Sequence, residues 1–212
     1  SSLLPYTTLF RCAGIDIYWR KKALKLAEIK SNDVLLDMAC GTGDFAIESK
    51  KMGVQNIFAA DFSFNMLTLF NKKSKWISGR NVRLVAEILP FKPNVFSKIT
   101  VAFGVRNFYE IQTAFNSFYD VLRKDGKVIV LEFSMPKNII LKFIYRSYFK
   151  HILPIIGKII SKDKSAYTYL PDSVEEFDKN VDLEKIFYQA KFRSVEKHLL
   201  TFGLVQVVIA TK

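Results

Sequence analysis

Eight residues, Asp37-Met38-Ala39-Cys40-Gly41-Thr42-Gly43-Asp44, stand between a short apolar run and a stretch with helical spacing. Gly41 and Gly43 remove the Cβ atoms that would keep a ligand off the backbone, and they permit positive φ in a tight turn. The helix start behind them offers unpaired N–H groups. Asp61 closes the next apolar run, 20 residues after Gly41, where a carboxylate can accept both hydroxyls of a ribose. Loop and acid together suit an adenosine cofactor. Gly41-Thr42-Gly43-Asp44-Phe45-Ala46 also satisfies the nicotinamide pattern GxGxxG/A. Two acids weigh against that rival. Asp44 would face a pyrophosphate with like charge, and Asp37 beside the loop suits the cationic sulfonium and ammonium of S-adenosylmethionine (SAM). A plain helix-dipole role remains open for Asp44, and a structural strand-end role for Asp37 and Asp61.

These residues need elements to hold them. Ile17 to Ile29 has apolar positions at helical intervals, and Val34 to Ala39 reads as a buried strand. A helix is expected from about Asp44 to Lys51, a strand over Asn56 to Asp61 and a helix from Asn65 to about Trp76. Val82 to Val85 and Ile99 to Phe103 read as strands, Thr113 to Leu122 as a helix, and Lys127 to Phe133 as a strand behind an Asp125-Gly126 turn. Strands separated by helices imply right-handed crossovers and a parallel sheet covered on both faces. After a helix near Asp182 to Ala190, only Phe202-Gly203 separates Ser194 to Thr201 from Leu204 to Thr211. A two-residue turn makes an antiparallel hairpin. The pattern resembles the α/β outline of class I methyltransferases, a Rossmann-like three-layer sandwich with a mostly parallel seven-stranded sheet. One domain over 1–212 is expected, with an amino-terminal helical segment over about 1–30 and an insert over about 136–180.

The 212 residues carry 32 Lys+Arg against 20 Asp+Glu, a net charge of +12, and half are apolar, enough for a full core. Nineteen Phe and nine Tyr argue against disorder. Cys12 and Cys40 cannot make a disulfide framework or a cysteine zinc site, which points to a reducing compartment. His151 and His198 are too few for a metal site. No apolar run approaches the ~20 residues of a spanning helix. The first residues lack both an initiator Met and a signal-peptide core, so a preceding stretch is expected. A secreted mini-protein, a membrane channel and a fibrous chain are excluded.

Nearly the whole chain resembles the UbiE/MenG family of quinone-biosynthesis C-methyltransferases. VLLDMACGTGDFA resembles the family's cofactor loop, AADFSFNML its ribose-binding strand end and AEILPF its third motif. FGVRN followed by VLRKDGKVIVLEFSMP is the most specific match, and GIDIYWRKK and HILPIIGKIISKDKSAYTYLPDSVEEF resemble its amino-terminal segment and insert. The resemblance implies SAM contacts at Thr42, Asp61 and Ala86 or its neighbours, and together with the glycine-loop reading the expected SAM site comprises Asp37, Ala39, Gly41, Thr42, Gly43, Asp61, Phe62, Met66, Ala86, Glu87, Ala102 and Phe103. Two departures stand out. Ala102 replaces the family's serine before FG, and Val85 runs directly into Ala86 without the acid or amide that faces adenine. Either the adenine is held by other groups or residues are missing at that loop.

By the same resemblance Arg106 and Asn107 are the catalytic pair, acting on a prenylated hydroquinone. Demethylmenaquinol is the expected substrate and a ubiquinone-pathway benzoquinol the alternative. A hydroquinone is a better carbon nucleophile once its hydroxyl ionises. A guanidinium stays charged and is a poor direct base, so Arg106 is expected to stabilise the phenolate or hold a hydroxide-like water, with Asn107 fixing that water or the substrate oxygen. An exposed pairing of Arg106 with Glu110 is the plain alternative, and Glu132 could border the pocket.

Seven Lys/Arg and one acid between Lys137 and Lys164 supply half the net charge. Lys142, Arg146 and Lys150 make one basic stripe among apolar residues, which suits an anionic bilayer surface. A core-packing helix with a solvated Lys face is the competing reading. The expected location is cytoplasmic and peripheral on the inner face of the membrane, with a homodimer as the expected assembly. A nucleic-acid substrate is the minor reading, because AFGVRN stands where an NPPY-like run would grip a flipped base. A non-catalytic interaction protein is the remaining alternative.

Overall fold

The computed structural model describes residues 14–136, 138–147 and 165–212. Helix α1 (Ile15–Leu26) precedes β1 (Val34–Met38), α2 (Asp44–Lys51), β2 (Asn56–Asp61), α3 (Phe64–Lys73), β3 (Asn81–Arg83) and β4 (Phe96–Ala102). Then come α4 (Ile111–Val121), β5 (Leu122–Phe133), α5 (Ile139–Ser147), α6 (Ser165–Asn180), α7 (Leu183–Gln189), β6 (Ser194–Leu200) and β7 (Val205–Thr211). The seven strands lie in the order β3-β2-β1-β4-β5-β7-β6. The first five run parallel, and β7 is antiparallel to both β5 and β6.

The inner strands are largely apolar because both faces of the sheet are covered there, whereas the edge strands β3 and β6 are partly exposed. In β1 only Val34 is partly exposed, and every residue of β7 is buried. One face packs Phe115 and Phe118 of α4 against Phe187 of α7, with the Phe115 and Phe187 rings stacked at 4.1 Å. On another side Trp19 of α1 meets Phe103 and Phe133 edge-on, both at 6.2 Å, and donates to Thr201 Oγ1 at 2.7 Å.

Several expected boundaries move. Helix α3 stops at Lys73 and a separate 3-10 turn carries Lys75–Ile77. The third strand is Asn81–Arg83, ending before Val85. Asp125-Gly126 does not precede β5. It forms an irregularity inside it, with Asp125 at φ 63°, between the pairs Phe96↔Leu122 and Lys98↔Lys127. The closing hairpin is antiparallel as expected, but its link is longer than two residues. Pairing ends at Leu200↔Val205, and Thr201–Gly203 forms a 3-10 turn. Of the seven basic residues of this segment, Lys137, Lys150, Lys158, Lys162 and Lys164 lie outside the described residues, and with Lys150 so does one end of the basic stripe.

Candidate active site

The sheet order reverses beside β1, and ligands of such sheets sit at the carboxyl ends of the strands there. A cavity of about 560 Å³ opens at this place. The loop after β1 forms its floor. Cys40 N–H donates to the Ala60 carbonyl at 3.0 Å, Gly43 N–H to the Cys40 carbonyl at 2.8 Å, and Gly41 N–H to Asp61 Oδ2 at 2.8 Å. Gly41 has φ +54° and nothing within 4 Å of where a Cβ would stand. Gly43 has φ +79°, and a Cβ there would fall 2.2 Å from the Phe70 ring. The two glycines serve different ends: Gly41 leaves space above the loop, whereas Gly43 lets α3 pack beneath it.

Asp61 ends β2 with both carboxylate oxygens anchored, Oδ2 by Gly41 N–H and Oδ1 by Ser63 N–H, each at 2.8 Å. A carboxylate has about four acceptor positions, so two stay open toward the cavity. Burial raises its pKa, and the two backbone donors oppose that rise. Ala39, Thr42, Phe62, Met66, Ala86, Glu87, Ala102 and Phe103 also line the cavity. Glu87, however, is engaged elsewhere: its Oε1 accepts from Tyr109 N–H at 2.8 Å and Glu110 N–H at 3.1 Å. It thereby caps the start of α4, which has no side-chain cap of its own. Leu84, Val85 and Ala86 leave that wall largely apolar.

Two expected contacts are corrected. Asp37 does not line the cavity; it is buried under the loop, accepting from Ala46 N–H at 3.0 Å and Thr100 Oγ1 at 2.9 Å. Burial pushes its carboxyl up to about 7 despite these two donors. Gly43 is likewise off the cavity wall, as the N-cap of α2. Asp44 does border the cavity, but it pairs with Lys73 of α3.

Arg106 and Asn107 sit on the 3-10 turn after β4 and both face the cavity. Arg106 is not paired with Glu110 at the surface. Its Nη1 donates to Glu132 Oε1 at the end of β5, and its guanidinium lies 5.7 Å from the Phe133 ring centre. Burial raises the Glu132 carboxyl, while the Arg106 charge pulls it down.

Asp16, Trp19 and Arg20 of α1 were not among the expected site residues, yet they form a wall of the cavity. Their one signal was the i, i+3, i+4 spacing within GIDIYWRKK, which puts them on one helix face. Among the described lining residues acids outnumber cations, with Asp16, Asp44, Asp61 and Glu87 against Arg20 and Arg106, and even with Lys73 counted against Asp44 one acid is in excess. The open space over Gly41 and the anchored Asp61 fit a ribose, and the surplus of acids fits a cationic centre.

Comparison with known proteins agrees with this geometry. The ubiE/COQ5 methyltransferase family model matches residues 11–212. A demethylmenaquinone methyltransferase of Thermus thermophilus is 37% identical over 203 residues, 94% of this chain and 91% of that protein. The ubiquinone/menaquinone biosynthesis C-methyltransferase UbiE of Geotalea daltonii is 37% identical over 205 residues, 94% and 87% of the two chains. Among solved structures, a SAM-dependent methyltransferase from Thermotoga maritima superposes with a TM-score of 0.67 at 18% identity, covering 98% of this chain and 94% of that one. One from Aquifex aeolicus gives 0.64 at 16%, covering 91% and 88%. The last two likenesses concern the fold alone. Sequence and architecture therefore agree, and this chain belongs to the ubiE/COQ5 methyltransferase family.

Proposed function

We propose that this chain methylates a ring carbon of a prenylated hydroquinone with SAM as donor, converting demethylmenaquinol to menaquinol. The observation that carries this reading is one continuous cavity joining the Gly41–Asp61 side to the Arg106–Asn107 side. SAM, when bound, supplies an electrophilic methyl group. Asp61 and the loop at Gly41 and Thr42 hold and orient its nucleoside, and the apolar Leu84–Ala86 wall excludes water beside them.

Ring carbon reactivity depends on the neighbouring hydroxyl. A phenol titrates near pH 10, and lowering that by three units takes about 4 kcal/mol of preferential phenolate stabilisation. Arg106 supplies it as a fixed positive charge, held in place by Glu132 within a largely water-free wall. Asn107, its neighbour on the same turn, aligns the substrate oxygen or the water that takes the proton.

Turnover of demethylmenaquinol and of the corresponding benzoquinol, each with SAM, tests the assignment. The naphthoquinol is the expected preferred substrate; methyl transfer to neither ring rejects the reading. We further infer peripheral membrane contact through α5, where Ile139, Ile140 and Phe143 are exposed beside Lys142. These side chains suit the site of entry of a lipid-tailed substrate.

A further inference from the structure

Among the described residues, eight large apolar side chains are between 65% and 98% exposed, and all of them fall on one edge of the sheet. Phe62 and Phe64 follow the carboxyl end of β2, Ile88 follows that of β3, and Tyr109 that of β4. Ile139, Ile140 and Phe143 of α5 follow the carboxyl end of β5. Phe202 sits in the turn before β7, and the antiparallel pair Phe133↔Val205 brings that turn to the same edge. Five strand steps separate β3 from β7 in the sheet, about 24 Å at ~4.8 Å per strand. The exposed apolar groups are therefore spread along most of this edge and not gathered at α5.

The opposite edge is built differently. There Lys127 pairs with Glu28 at 3.2 Å and Arg193 with Asp125 at 2.6 Å, and Lys212 Nζ donates to the Tyr119 and Leu122 carbonyls. Exposed apolar residues scattered singly are ordinary, whereas a set confined to one edge marks a contact surface. Phe202 sharpens the contrast. It holds φ 57°, a strained setting for a bulky residue, yet its ring stays outside the core. Its neighbour Gly203 approaches Pro136, on the segment that leads into α5, so the turn and the helix are adjacent.

The cavity opens on this edge, and Phe62 and Tyr109 belong both to its lining and to the exposed set. Cations accompany the apolar groups. Arg83 Nε donates to the Phe62 carbonyl at 2.9 Å, with its guanidinium 5.2 Å from that ring's centre, and Lys142 stands among the exposed residues of α5. The whole chain carries +12. Apolar groups interleaved with cations match an anionic lipid surface, where the acyl boundary takes the first and the headgroups take the second.

We propose that the whole carboxyl edge of the sheet, from the loops after β2 and β3 to the β6–β7 turn, rests on an anionic bilayer and turns the mouth of the cavity toward it. A lipid-tailed substrate then reaches the site without crossing bulk water. The proposal rests on the membrane contact inferred for α5 and goes beyond it by fixing how the protein sits. Contact through α5 alone would leave the loops after β2 and β3 in solvent.

Tryptophan quenching by brominated acyl chains reads this orientation. Phe64, Ile88 and Phe202 lie outside the cavity lining, so each can be replaced without touching the cofactor site. On anionic vesicles Phe64→Trp, Ile88→Trp and Phe202→Trp are each expected to lose emission beyond the background set by the two native tryptophans. Lys30→Trp, exposed on the opposite edge just before β1, is expected to stay at that background. The triple variant Phe64→Asp, Ile88→Asp, Phe202→Asp is expected to weaken vesicle binding about tenfold or more while S-adenosylhomocysteine affinity stays within about twofold. If any of the three introduced tryptophans stays unquenched on vesicle-bound protein, the edge does not lie on the bilayer; the proposal is overturned and the α5 contact stands. Unchanged vesicle binding by the folded triple variant overturns it too, and a dimer lost in sedimentation at the same time assigns the edge to a second copy of the chain. If the triple variant does not fold, the single tryptophan variants decide. Failure of the unaltered protein to bind anionic vesicles overturns both the proposal and the α5 contact.

Discussion

Arg106, on the turn after β4, and Glu132, near the end of β5, form an ion pair with side chains only 8% and 1% exposed. The parallel pairing Ala102↔Leu131 brings the two strand ends together. Glu132 Oε1 also accepts Phe133 N–H at 3.0 Å, which fixes the carboxylate before it meets the guanidinium. Breaking such a buried pair from one side leaves a stranded charge and costs about 3–5 kcal/mol. Arg106→Ala is therefore expected to abolish turnover, lower stability by that amount and retain S-adenosylhomocysteine binding. Adding Glu132→Gln is expected to restore part of the stability and none of the turnover. Urea denaturation and steady-state kinetics on the single and double variants check this. Full turnover in Arg106→Ala would remove the arginine from the chemistry.

The two loop glycines are expected to fail differently. Gly43→Ala drives a methyl into the Phe70 ring in a left-handed backbone, so stability falls by more than the ~1 kcal/mol of conformational cost alone. Gly41→Ala meets no neighbour, so it is expected to lose about 1 kcal/mol of stability and, in addition, much of its cofactor affinity. Melting temperatures and calorimetric titration with S-adenosylhomocysteine separate the two outcomes.

Asp37 makes stability depend on pH. Burial raises its native carboxyl to about 7, whereas an unfolded Asp titrates near 3.9. Between those values the native state keeps a proton that the unfolded state releases, so stability falls as pH rises from about 4 to 7. The loss is complete above the native value and at most on the order of 4 kcal/mol. Asp37→Asn is expected to flatten this part of the profile. Its stability relative to the unaltered protein should rise steadily across that window. Asp61 and Glu132, whose carboxyls are also raised by burial, leave a residual slope of the same sign. Urea titrations at pH 4.5, 6 and 8 measure the difference; parallel profiles for the two proteins would contradict it.

Membrane contact through α5 is open to a direct test. Flotation with anionic vesicles is expected to carry the protein upward, with less recovered on zwitterionic vesicles and at high salt. Ile140→Asp with Phe143→Asp is expected to cut recovery severalfold without moving the melting temperature, because both side chains are exposed. Recovery that is absent on both vesicle types would end the docking idea.

The order of elements was legible in the amino-acid pattern. A parallel strand buried on both faces must be apolar nearly throughout, as Val34–Met38 and Asn56–Asp61 are. The glycine loop and Asp61 were legible too, because their chemistry lies within one strand–helix–strand unit of consecutive, adjacent strands. What the chain by itself could not disclose was every partnership made across the sheet. Asp37 looked like a ligand contact until β4 supplied Thr100 and α2 supplied the Ala46 N–H. Arg106 had a nearby acid in Glu110, yet it pairs with Glu132, 26 residues away, because β4 and β5 lie side by side. Asp16 and Arg20 had no role assigned from the sequence, where the helix was expected to begin only at Ile17, and the docking of α1 on α2 and β5 is what makes them a wall of the cavity. Local propensity and spacing determine which segments become helix, strand or loop. Which side chains end up facing one another depends on how the packed layers close, and that is a property of the tertiary structure alone.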